Sequence, residues 1–145
     1  MRVVPAVLLF ALLAACAPKE QAPPPAPPGP TLADFAGTWQ NASMLDGVAD
    51  PVPSTMTGTA DAATWNMSLQ GRDSIAMTVA IFGDSLIGQT AEYESILRKG
   101  VMVSVRTASV LKDGGMTGTM VATYKTATGV EVVNGTMTGM RAPPE

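Results

Sequence analysis

Between residues 31 and 141 apolar and polar side chains alternate in short runs, and each run stops at a cluster of Gly, Asp or Asn. A period of two is the spacing of a half-buried β-strand, because successive side chains leave opposite faces of the backbone. Trp65, Met67 and Leu69 alternate with Asn66, Ser68 and Gln70; Ile75, Met77, Val79 and Ile81 alternate with Ala76, Thr78 and Ala80. Gly71-Arg72-Asp73 turns the chain between them. Gly83-Asp84 has the Gly-X chemistry of a type II′ hairpin, and Lys112-Asp113-Gly114-Gly115 and Thr126-Ala127-Thr128-Gly129 mark two more turns.

Strands are thus predicted over 35–44, near 55–60, and over 64–70, 75–82, 85–90, 101–111, 116–125 and 130–141. About eight strands joined in sequence make an all-β antiparallel meander. Eight strands can close into a small barrel whose interior has room for packed side chains or one small ligand. Gly58, Gly118, Gly135 and Gly139 lie inside these runs, where they weaken a flat sheet and favour tight coiling. In 101–111 the apolar parity changes from Val101, Val103 and Val105 to Ala108 and Val110, as a bulge or a strand passing between two environments would produce.

One segment breaks the rhythm. Residues 91–100 contain Tyr93, two acids and two bases, and Glu94 and Arg98 have the i, i+4 spacing of a helical turn. Two roles fit it: a lid or partner-contact loop built on Tyr93 and Arg98, or a crossover whose Tyr93, Ile96 and Leu97 cap the core.

Gly37-Thr38-Trp39, at the head of the first strand, resembles the opening of lipocalin and avidin-like barrels. The resemblance implies a lipocalin-like barrel in which Trp39 closes the floor. The Thr-Asp-Tyr signature of lipocalins and the pocket aromatics of avidin are missing from this chain. Trp39, Trp65, Tyr93 and Arg98 are the candidate ligand or partner contacts.

The N-terminal side has a different organisation. Arg2 precedes an apolar stretch over 3–13, too short to span a bilayer, and Leu13-Ala14-Ala15-Cys16 follows. These four residues resemble the lipobox of bacterial lipoproteins. The resemblance implies that residues 1–15 are a cleaved signal peptide and that Cys16 carries a covalent lipid, holding the protein at a membrane without any spanning segment. Ala17, in place of Asp, resembles the sorting pattern for the outer membrane, with the domain facing the periplasm. Residues 17–30 include seven prolines and almost nothing to bury, so 16–30 reads as the lipidated Cys followed by a disordered tether. In extended polyproline conformation that tether reaches about 40 Å. The β-domain then occupies 31–141, with a disordered tail over 142–145.

Composition narrows the chemistry. The chain has no His, and its single Cys is the one in the lipobox, so catalytic dyads, triads and zinc sites built on those residues are excluded. Its aspartates Asp46, Asp73, Asp84 and Asp113 fall in turns, where they have a structural role. The formal charge is −3, and loss of Arg2 with the signal makes it −4, which argues against a nucleic-acid partner. No enzymatic activity, metal or cofactor beyond the lipid on Cys16 is expected. Methionine is abundant, and Met67, Met77, Met116 and Met120 fall on alternating positions, where they suit gap filling or a pliable apolar cavity. Two functions fit a domain of this kind: binding a small apolar ligand inside a barrel, or contacting an envelope protein as a structural lipoprotein.

Overall fold

A computed structural model describes residues 22–143 of the chain. The proposed signal peptide and Cys16 lie outside those residues. Residues 22–30 carry no regular structure and are mostly exposed.

The rest is one antiparallel sheet closed on itself. Its strands are β1 (Gly37–Leu45), β2 (Val52–Gly58), β3 (Asn66–Leu69), β4 (Ile75–Phe82), β5 (Ser85–Thr90), β6 (Tyr93–Glu94), β7 (Met102–Lys112), β8 (Gly115–Thr126) and β9 (Gly129–Arg141). Each pairs with its sequence neighbours, except that β5 and β6 both pair with β7. β1 pairs with β9 from Trp39↔Arg141 to Leu45↔Gly135, which closes the wall. The all-β meander read from the sequence is therefore an eight-stranded barrel with β6 as a short extra strand.

The turns follow their local chemistry. Phe82 and Ser85 pair across Gly83-Asp84, with Gly83 at φ +62°, as a type II′ turn requires. Asp113 and Gly114 both take positive φ, the type I′ geometry to which Asp-Gly is suited.

The predicted first strand starts two residues late. Leu32–Phe35 form one helical turn, α1, instead, because Thr31 donates to Asp34 Oδ2 from its N–H (2.7 Å) and its hydroxyl (2.8 Å). These two donors hold the Asp34 carboxyl below its ordinary pKa. α1 drops Phe35 into one end of the barrel, where it packs with Trp39, Trp65, Leu86 and Met116 as a closed floor. Trp39 is 1% exposed, and its indole N–H donates to the Phe35 carbonyl at 2.8 Å. Arg141 lies over the Trp39 ring, 4.4 Å from its centroid, and donates to the carbonyls of Asp34 and Ala36. First strand, last strand and helical turn are thereby tied at one point.

Of the two explanations for the parity change in 101–111, the bulge is absent. The β7–β8 register is continuous from Met102↔Lys125 to Lys112↔Gly115. Inward parity passes from Val103 and Val105 to Thr107 and Ser109, leaving Ala108 and Val110 half-buried on the outer face. Small hydroxyl residues suit this level because methionines reach into it: Ser109 donates to Met137 Sδ at 3.3 Å and is 2% exposed.

The helical turn expected over 91–100 is absent as well. At Thr90 the chain leaves the β5 ladder, and the Thr90 hydroxyl accepts the Val105 N–H at 2.9 Å in place of a backbone carbonyl. The chain then re-pairs through Tyr93↔Val103 as β6, so the wall continues up to the open end.

Candidate functional site

A cavity of about 60 Å³ lies in the upper half of the barrel, above the tryptophan floor. One wall is polar. Asn41 and Ser43 point inward from β1, and Ser54 sits directly across from Asn41 on β2. The facing wall is mostly apolar, with Met77 of β4, Val103 and Val105 of β7, and Met120 and Ala122 of β8, alongside Thr107 of β7. Met56, Met67 and Met137 also line it, so five methionine side chains surround the space. No group of three His, Cys, Asp or Glu side chains gathers among the described residues, and the soft thioethers are the main ligating atoms on offer.

Asn41 is the least ordinary member. It is 7% exposed, and its Oδ1 is wholly enclosed without a hydrogen-bond partner. Its register partner on β9 is Gly139, and a Cβ built there would collide with Oδ1. Glycine therefore makes the socket in which the amide sits.

The mouth is covered by the turn over residues 95–100. The Ser95 hydroxyl accepts the N–H groups of Leu97 and Arg98, both at 3.1 Å, and Glu94 accepts the Gly100 N–H at 2.9 Å. Gly100 has φ +77°, in the left-handed region that favours glycine. Ile96 and Leu97 face both ways: they line the cavity and are each 42% exposed.

Arg98 fixes this turn to the rim over β8 and β9. It forms a two-pronged ion pair with Glu131 of β9, at 2.7 and 2.8 Å, and lies 4.2 Å from the centroid of the Tyr124 ring. The Glu131 carboxyl is pulled below its ordinary pKa by the guanidinium, and Arg98 is pushed up in return. Lys125 pairs with Glu92 beside it. The predicted Glu94–Arg98 pair is thus replaced by a longer-range one, since the segment is not helical.

Of the four candidate contacts, Tyr93 lines the cavity, and Arg98 closes its mouth from outside. Desolvation, and secondarily the neighbouring Tyr124, pushes the Tyr93 phenol up to about 12, so it stays neutral at physiological pH. Trp39 and Trp65 are elsewhere, in the floor. Trp65 donates from its indole N–H to the Thr59 carbonyl at 2.9 Å and lies where Gly58 has no side chain. Asn41, Ser43, Ser54 and Glu131 are not among the residues that the sequence singles out. The alternation Trp39, Asn41, Ser43, Leu45 carries a signal for the first two, since it puts an amide and a hydroxyl on the face that holds the core tryptophan.

Two larger depressions, of about 740 and 570 Å³, lie on the outer wall. They are open troughs with more polar linings. No protein-family model and no curated protein matches this chain.

Proposed function

We propose that this chain is an envelope lipoprotein, anchored through lipid on Cys16, whose barrel binds a small apolar molecule beneath the 95–100 turn. The observation that carries the ligand reading is the cavity itself: it is enclosed by side chains from most of the wall and is mainly apolar. An enclosed, mainly apolar space with a few polar side chains in its lining is the usual form of a small-ligand site.

The closed wall favours this reading over partner recruitment by strand addition, which needs an unpaired sheet edge. No helix among the described residues is long and apolar enough to cross a membrane, so attachment rests on the lipobox reading of 13–16. The outer membrane, with the barrel in the periplasm, is the address that Ala17 supports.

Native mass spectrometry of the full chain, extracted from its host membranes, tests the binding function. A discrete extra mass lost on denaturation is expected. A bare chain that also takes up nothing from an envelope lipid and metabolite extract would refute it. Cys16→Ser tests the address separately: it is expected to move the chain from the membrane to the soluble fraction, and unchanged fractionation would overturn the anchor.

A further inference from the structure

The open end of the barrel is tied unevenly. The 95–100 turn over the mouth is latched by the Ser95 hydroxyl, by the Glu94–Gly100 bond and by the Arg98–Glu131 ion pair. β6, at the same end, is paired on one flank only. Its partner there is β7, and on the other flank the last backbone bond across to β4 runs from the Ala91 N–H to the Ala76 carbonyl at 2.9 Å. Beyond it, no hydrogen bond joins the turn over residues 71–74 to Tyr93 or Glu94 among the described residues. With two residues, β6 is too short an edge for strand addition, so its free flank is a notch in the wall.

Tyr93 fills the notch. Outside it lies the trough of about 570 Å³, walled by residues 71–76 and 91–93. Inside lies the cavity, and Tyr93 is the single residue that lines both. The ring packs beside the core group of Leu45, Val103 and Tyr124. Its hydroxyl, a group that buried tyrosines usually bond, has no partner in the protein among the described residues. Swinging this side chain outward therefore breaks no polar contact, whereas lifting the 95–100 turn breaks the ion pair and the capping bonds.

Resting on the ligand-binding reading above, we infer that Tyr93 is the gate of the cavity: slim apolar molecules pass between trough and cavity when its ring swings out of the notch, while the 95–100 turn stays latched. Tyr93 then sets the rate of exchange, and the Arg98–Glu131 latch does not.

Xenon serves as the probe, since a single apolar atom enters dry apolar cavities. The full chain carries ¹³C-methyl methionine, and xenon exchange is read from the methyl signals of Met67 and Met77, which line the cavity. Association rates are compared, because a cavity merely enlarged by a substitution leaves them unchanged. Tyr93→Ala is expected to take up xenon about tenfold faster or more, whereas Tyr93→Phe, which keeps the ring, and Glu131→Gln, which frees the turn, stay within about twofold of the unaltered chain. If the alanine variant does not fold, Tyr93→Leu replaces it with the same expectation.

Faster uptake in Glu131→Gln, or an unchanged rate in the folded Tyr93→Ala or Tyr93→Leu chain, overturns the gate and leaves the binding function standing. Xenon that shifts none of the five methionine methyls around the cavity of the unaltered chain shows a filled interior and defeats the binding function itself.

Discussion

Replacing Asn41 by leucine is expected to make the protein more stable, against the usual sign for a change at a buried position. Asn41 is 7% exposed and its Oδ1 has no partner, so the folded state carries the desolvation cost of an unpaired acceptor, about 1–3 kcal/mol. Leucine removes that cost and adds apolar surface beside Met116, whose methyl group already lies close to Gly139. Imperfect fit of the new methyls in the glycine socket offsets part of the gain, leaving about 1–2 kcal/mol. With an unfolding entropy of about 2.1 cal/mol/K per residue over about 110 residues, the midpoint should rise by about 4–9 °C.

Urea unfolding followed by the fluorescence of the two buried tryptophans measures it, with an unchanged m-value confirming that the same surface is exposed. Asn41→Ala is the control and should be less stable than leucine, because it trades the stranded acceptor for a larger void. A leucine variant no more stable than the parent would refute the reasoning: the amide would then have to be satisfied in solution, by water or otherwise.

Glu131→Gln should quicken hydrogen exchange at the amides of Leu97, Arg98 and Gly100 while leaving the melting temperature in place; unchanged exchange would show that the Arg98 pair does not hold the turn. In the parent, Glu131 has a lowered folded pKa, so its pairing contributes above the ordinary carboxylate value and is lost as pH falls through the lowered one; the turn should loosen in acid, and the Gln variant should not respond. Tyr93 has the opposite sense: its folded pKa is raised, so stability falls between about pH 10 and about 12, and Tyr93→Phe should flatten that part of the pH–stability curve. Gly58→Ala puts a methyl group into the Trp65 ring and should destabilise the floor by about 2–3 kcal/mol, seen as a lower urea midpoint; a neutral result would mean that Trp65 can leave its place.

The wall of the barrel is legible in the sequence because its signals are local. Alternation identifies eight strands, and Gly83-Asp84 and Asp113-Gly114 specify their turns by backbone conformation alone. Two local departures from the alternation have separate causes. Thr31-x-x-Asp34 is a capping pattern that outweighs the strand propensity around Phe35, so the first strand opens at Gly37. In β7 the shift of apolar residues to Ala108 and Val110 mimics a bulge, whereas the barrel places Thr107 and Ser109 inside because methionines from other strands fill that level.

The site is much less legible. Tyr93 and Arg98 stand out by composition, but the partner of Arg98 is 33 residues away on β9, and no spacing rule connects them. Asn41 is hidden for a related reason. An amide on an inward strand face reads as ordinary until closure puts β9 beside β1 and leaves Oδ1 against Gly139.

Closure also fixes which end of the barrel the chain arrives at. α1 and the floor tryptophans occupy the end at which β1 begins, and Gly29 lies beside the Gly83 carbonyl in the β4–β5 turn at that same end. The 95–100 turn and the cavity mouth are at the other, where β1 finishes and β7 starts. A lipid on Cys16 would therefore hold the protein by its closed end. The mouth would then be the end of the barrel farther from the lipid's point of attachment, on a domain that a disordered tether leaves free to turn. A molecule entering the proposed site would do so at the end remote from the tether.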